Sequence, residues 1–152
     1  MDARQLGCAR ARVAVPYLLG LSHSAWRTLM GLRFLKIAVV YLFVGALLGL
    51  IMGITQQFVL APVHAHLLLL GWASLALAGI IYHLYPAAAT TLLARIHFWV
   101  HNLGLPAFML ALGMLLTGHE SAGPAVGISA SVVLIALTIF ATNVLMNVKP
   151  TA

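Results

Sequence analysis

Three stretches of the chain, 37–94, 96–119 and 121–148, contain no Asp, Glu, Lys or Arg. A soluble domain of ordinary composition carries charge on about a quarter of its residues. Here the share is 7%, and 63% of the 152 residues are hydrophobic. About 20 mostly apolar residues suffice for a helix to cross the hydrocarbon core of a bilayer. The chain is therefore expected to be an all-α integral membrane protein.

Turn signals divide these stretches. Gln56, Gln57 and Pro62 interrupt the first, Pro86 and the small residues up to Arg95 the second, and the sequence GHESAGP at 118–124 the third. Four spans result, at 34–55, 63–85, 97–117 and 125–146. Their short connections imply four antiparallel transmembrane helices. Basic residues give the direction. Arg4, Arg10, Arg12, Arg27, Arg33 and Lys36 precede the first span, while Arg95 and Lys149 lie at later junctions. With cytoplasmic N- and C-termini, all eight fall on the cytoplasmic side and Glu120 falls outside, as in a multi-pass protein of a bacterial-type inner membrane. The net charge of +6 thus marks helix ends rather than a face for nucleic acid. The single cysteine, Cys8, excludes an internal disulfide and a multi-cysteine metal site.

Residues 1–33 are expected to form an Arg-rich cytoplasmic tail ahead of a membrane domain at 34–149. A signal peptide fits poorly. His23 stands three residues before a cut after Ala25, where a small residue is needed, and cleavage would conflict with Arg33 and Lys36 staying inside. A start at Met30, followed by GLRFLKIAVVYLF, is a further reading of the same segment.

This topology sorts the histidines into two groups. His64, His66 and His119 fall near the outer surface; His83, His97 and His101 fall near the inner one. Along a helix axis His66 and His83 are separated by about 25 Å. Residues i and i+2 point about 200° apart. His64 and His66 therefore do not chelate one metal together, but each can serve a partner on its own side of the helix. Gly71, Ser74 and Ala78 form a small-residue stripe with His64 near its edge, suited to close helix approach. His97 and His101 are i and i+4 and share a face, with Pro106 loosening the helix nearby. A solvated, headgroup-level position is an equal alternative for His83 and His97, and the favoured one for the loop residue His119. Ionisable groups within a span tend to be functional, which singles out His64 and His66. Trp72, Trp99, Tyr82 and Tyr85 read as interfacial anchors and packing residues.

Neutral imidazole in an apolar helical setting suits haem iron. Copper and zinc also accept imidazole, but no cysteine or embedded carboxylate completes a set, and copper has no positive support. Hydrolase, kinase and dinucleotide-binding motifs are absent.

The segment PVHAHLLLLGWASLALAGIIYHLYP, followed by RIHFWVHNLG, resembles subunit I of the heme-copper oxidases, especially the C-type (cbb-type) cytochrome oxidases and nitric oxide reductases. In that family a His-x-His helix binds two haems, one on each side. The resemblance implies a high-spin haem role for His64 and a low-spin haem b role for His66. It covers about residues 34–146, a third of a twelve-helix subunit. The adjacent His-His pair that binds copper in the family has no counterpart here, nor does the helix that supplies the second low-spin ligand. The chain by itself is thus incomplete as an oxidase. The family's pseudo-threefold arrangement implies that a four-helix chain approximates the whole by forming a trimer or other homo-oligomer, or by joining other respiratory-chain subunits.

The leading expectation is a membrane haem b protein that transfers electrons or binds a gas ligand, with His66 first and His64 next as ligands. His119 or a neighbouring protomer would supply a partner imidazole. The alternatives are a two-haem cytochrome b, with His83 and His97 or His101 at an inner haem, and a non-catalytic accessory or assembly subunit of an oxidase.

Overall fold

In the computed structural model the backbone is described for residues 3–149 and side chains for 29–149. Six α-helices follow one another: α1 (Ala3–Thr55), α2 (Ala61–His66), α3 (Ser74–Leu84), α4 (Pro86–Ala89), α5 (Leu92–Leu116) and α6 (Gly123–Asn147). A π-helical segment, Leu67–Ala73, joins α2 to α3, and a 3-10 turn, Glu120–Ala122, precedes α6. No strand occurs among the described residues. Four helical spans are long and apolar enough to cross a membrane: Leu29–Thr55, Ala61–Leu84, Leu92–Leu116 and Glu120–Asn147.

The spans agree with the expected ones in number and centre but differ at their ends. The helix of the first span extends ahead of residue 34, so Arg33 lies within it. The expectation for the tail ahead of it falls outside the described side chains. The third begins at Leu92 rather than residue 97. Thr91 causes this shift, because its side-chain oxygen accepts from the Ala94 N–H at 3.0 Å and caps the helix. Pro86 occupies the first turn of α4, where its missing N–H costs nothing. Pro106 lies inside α5 without ending it.

Within lipid, helices associate by van der Waals fit and polar contacts rather than by exclusion of water. The first and second spans achieve that fit through glycine. A Cβ on Gly31 would lie 2.7 Å from the Gly79 carbonyl oxygen, and one on Gly79 would lie 2.9 Å from that of Gly31. The two backbones therefore touch directly. Farther along, a Cβ on Gly71 would meet the Tyr41 ring at 2.5 Å. The small-residue stripe is real at Gly71 and Ala78, both buried, but Ser74 is only half-buried and Gly79 takes the backbone-to-backbone contact.

Two apolar clusters fill the interior. One gathers Met30, Phe34, Ala38, Leu75, Ala78, Tyr82, Ala88 and Ala94. The other gathers Val63, Leu67, Leu105, Phe108, Met109 and Val133. Replacing Gly79 with Val forces separation at a contact made by the Gly31 carbonyl and the Leu35 backbone as well as the Leu35 side chain, and the backbone atoms have no side-chain freedom with which to yield. Thermal unfolding in detergent should show G79V destabilised by about 1–3 kcal/mol or more, the usual cost of overpacking, while G113V, at a site open on its surroundings, stays near wild type.

Candidate functional site

His97 sits where all four spans meet. It is 1% exposed. Phe34 of the first span stacks on it at 5.0 Å and 24°, and Phe140 of the fourth at 5.0 Å and 29°. Tyr82 of the second span brings its hydroxyl to 3.2 Å from Nδ1. Asn143 Nδ2 donates to the Tyr82 oxygen at 3.3 Å, which leaves the Tyr82 O–H to donate to His97. His97 Nδ1 is thus the acceptor, and its proton resides on Nε2.

Asn143, itself fully buried, uses every polar atom. Its second amide hydrogen goes to the Ala88 carbonyl at 3.0 Å; its oxygen accepts from Thr91 Oγ1 at 3.0 Å and from Asn147 Nδ2 at 2.9 Å. A satisfied network of this kind rigidifies a low-dielectric interior. Tyr82 belongs to it, so Tyr82 is a core residue and not an interfacial anchor.

His101 follows one turn along, its ring 5.4 Å from that of His97 at 83°. Its Nε2 lies 3.0 Å from the Leu70 carbonyl oxygen, which can only accept, so Nε2 carries the hydrogen. His101 Nδ1 then has a lone pair, is buried and has no hydrogen-bond partner. The contact to Leu70 arises from the π-helical segment. There the Ser74 N–H reaches back five residues to Leu69, with the Ser74 hydroxyl on the same carbonyl at 2.8 Å. Such a shift of register disturbs the regular ladder and offers a carbonyl to a neighbour.

His64 and His66 project differently, as their spacing required. His64 Nδ1 lies 2.8 Å from the Gly45 carbonyl of the first span, and its ring rests on Gly49, where a Cβ would lie 2.6 Å from Cε1. His66 Nδ1 lies 2.7 Å from the Pro62 carbonyl, and its ring meets Phe108 of the third span edge-on at 5.2 Å. Both Nδ1 atoms face carbonyl oxygens and therefore carry the hydrogens. Both Nε2 atoms are left as lone-pair donors, the tautomer that a metal-ligating histidine needs.

The remaining two stand apart. His83 is exposed, with its Cβ against Gly31. His119 is exposed in the loop, its Nδ1 3.3 Å from the Met114 carbonyl. Among the described residues no three His, Cys, Asp or Glu side chains gather to hold a metal ion. The two groups of three expected from topology resolve into one packed pair, His97 and His101, and four separate residues. His97 is buried, which a solvated headgroup-level position would not give, and His83 is exposed. Asn143 and Thr91 were not singled out in the sequence, although an Asn amid an apolar span is itself a signal.

The chemical capacities of the two regions differ. His97 has both faces covered by phenyl rings and Nδ1 engaged, so it is built into the packing of the bundle. His64 and His66 present a free Nε2 each, His66 with the third span on one side and His64 against the first. At the same end, a cavity of ≈ 500 Å³ lined by Leu48, Met52, Leu60 and Leu116 lies between the first and third spans, with no histidine in its wall. Comparison with protein-family models, curated proteins and solved structures gave no match.

Tyr82→Phe removes the donor to His97 Nδ1 and one acceptor of Asn143 while keeping the ring contacts. It should lower stability in detergent by about 1–3 kcal/mol, the cost of stranding buried polar atoms. Combined with Asn143→Ala, the loss should fall short of the sum of the single losses, which a double-mutant cycle of unfolding midpoints would read.

Proposed function

We propose that this chain is a membrane haem b-binding protein related to the heme-copper oxidases, acting in electron transfer or gas-ligand binding. One observation carries the reading. Two imidazoles on a single helix each give their Nδ1–H to a backbone carbonyl, at 2.8 Å for His64 and 2.7 Å for His66, and keep Nε2 as a lone pair. A carbonyl on Nδ1 fixes the ring and raises the basicity of Nε2, as behind metal-bound histidines generally.

His66 is the primary ligand in this reading. Its ring lies at the seam with the third span and is braced by Phe108. His64 is the second candidate, with its ring held on the first span. A bound haem b, held by His66 or His64, would supply a one-electron couple and a site for a small gas. The protein's part is to hold the ring nitrogen at a fixed height, shield it with apolar side chains and exclude water. No third ligand group joins His64 or His66 among the described residues, and the ≈ 500 Å³ cavity has no histidine in its wall, so in this reading the chain furnishes one wall of a site. A second copy of the chain, in a trimer or dimer, or another respiratory subunit completes it. His97 contributes packing, since both its faces are covered.

The direction of the spans belongs to the same reading. Consecutive spans run in opposite senses, with both termini cytoplasmic in a bacterial-type inner membrane, because Arg33, Lys36, Arg95 and Lys149 then lie on one side.

Purified protein, produced with ample haem, should give a reduced-minus-oxidised haem b spectrum and a pyridine haemochrome. His66→Ala should remove most of that signal, whereas His119→Ala should retain it. Colourless wild-type protein under conditions that fill a control cytochrome would overturn the reading and leave an accessory or assembly role. Crosslinking in mild detergent should pass beyond monomer; a product that stops there argues against a site shared between copies.

A further inference from the structure

We infer that one water molecule is bound inside the bundle between His97 and His101, accepting from the Nε2–H of His97 and donating to Nδ1 of His101. Among the described residues two buried side-chain atoms have no hydrogen-bond partner, His101 Nδ1 and Asn102 Oδ1, and they belong to adjacent residues of α5. His101 is 0% exposed, so its lone pair is shut off from bulk solvent. Buried polar atoms are paired in the great majority of cases, with protein or with ordered water.

Three features define the occupant. It is a donor. His101 already gives its Nε2–H to the Leu70 carbonyl at 3.0 Å, and what Nδ1 offers is a lone pair. Asn102 makes the same demand beside it. Its side-chain oxygen is unpartnered, and its backbone carbonyl lacks the usual helical donor because Pro106 has no N–H. Proline inside a membrane span is tolerated where neighbours or ordered water take up such freed carbonyls.

The occupant is also neutral. From residue 37 onward the only acidic side chain is Glu120, in the turn beyond the far end of α5. A cation at His101 would be buried with no countercharge, which is far more costly than burying a hydrogen-bonded dipole. Finally, it is small. Phe34 and Phe140 cover the two faces of His97, so His101 meets that ring at an edge, with centroids 5.4 Å apart and planes at 83°.

Water meets all three demands. An internal water needs two to four polar partners, and the pair supplies one of each kind: the Nε2–H that the Tyr82 bond leaves on His97, and the lone pair of His101. A water bonded to two nitrogens at about 2.9 Å each spans about 4.5–5.5 Å, on the scale of the 5.4 Å between the rings. It closes a series of bonds in which every donor points the same way. Asn143 donates to Tyr82, Tyr82 to His97, His97 to the water, the water to His101, and His101 to Leu70. Aligned bonds in a low-dielectric interior polarise and strengthen one another. The series joins the fourth, second and third spans, and it stands independently of any haem at His64 or His66.

NMR of the full chain in mild detergent, with isotopically labelled histidine, tests this. Wild-type His97 should carry its proton on Nε2, protected from exchange, and that proton should show a cross-relaxation peak to water. His101 Nδ1 should be unprotonated, with the chemical shift of a hydrogen-bonded nitrogen rather than a bare one. His101→Phe keeps a ring but removes the lone pair, and should lose the water peak while His97 Nδ1 keeps its bond to Tyr82. A wild type with no water peak at His97, or with its His97 proton on Nδ1, would overturn the proposal. So would a through-bond coupling from His97 Nε2 directly to His101 Nδ1, which would mean that the rings bond without water. These wild-type readings decide the matter even if His101→Phe fails to fold; a water peak that survives in folded His101→Phe would overturn it too.

Discussion

A neutral imidazole inside a membrane bundle needs partners for its polar edge and apolar cover for its faces, and His97 draws both from the three other spans. Phe34 and Phe140 cover the ring, and Tyr82 supplies the hydroxyl. Lipid offers no hydrogen bonds and little drive for one apolar helix to leave it for another. A buried polar group that can be satisfied in only one arrangement therefore does what hydrophobic burial does in water: it selects a packing. The neighbouring features serve this contact. The direct touch of Gly31 and Gly79 brings the first span close enough for Phe34 to reach across. The Thr91 cap lengthens α5 toward its start, and Thr91 also anchors Asn143, which in turn holds Tyr82.

The π-helical segment links this centre to the other half of the molecule. It adds a residue to one turn of the second span and presents Leu70 O to His101. It also places Gly71 beneath the Tyr41 ring. The faces of the second span before and after it are therefore out of step with a straight helix. Ser74 departs from the expected stripe and Gly79 joins the contact for that reason.

The chain thus uses histidine in two physical ways. His97 and His101 are wholly buried where the spans meet, and His97 is stacked between two phenyl rings. His64 and His66 are only half-buried, each bonded through Nδ1 to a carbonyl with Nε2 left as a base. Under the proposed reading, that difference separates the residues that hold the bundle together from those available to iron.

Charge-free length and turn residues by themselves determined four apolar helices and the neighbourhood of their ends, because a helix in lipid must satisfy its backbone internally and needs a fixed number of apolar residues to cross. The i, i+2 spacing likewise determined that His64 and His66 part company. Tertiary structure alone decided which histidines were interior. His83 and His97 are equivalent by position along their spans, yet one is exposed and the other is covered by two phenyl rings. Rotation of each helix about its axis makes that choice, and rotation is set by contacts such as Gly31 on Gly79 and by the extra residue of the π turn. No apolar periodicity announces these rotations in spans that are hydrophobic nearly all round.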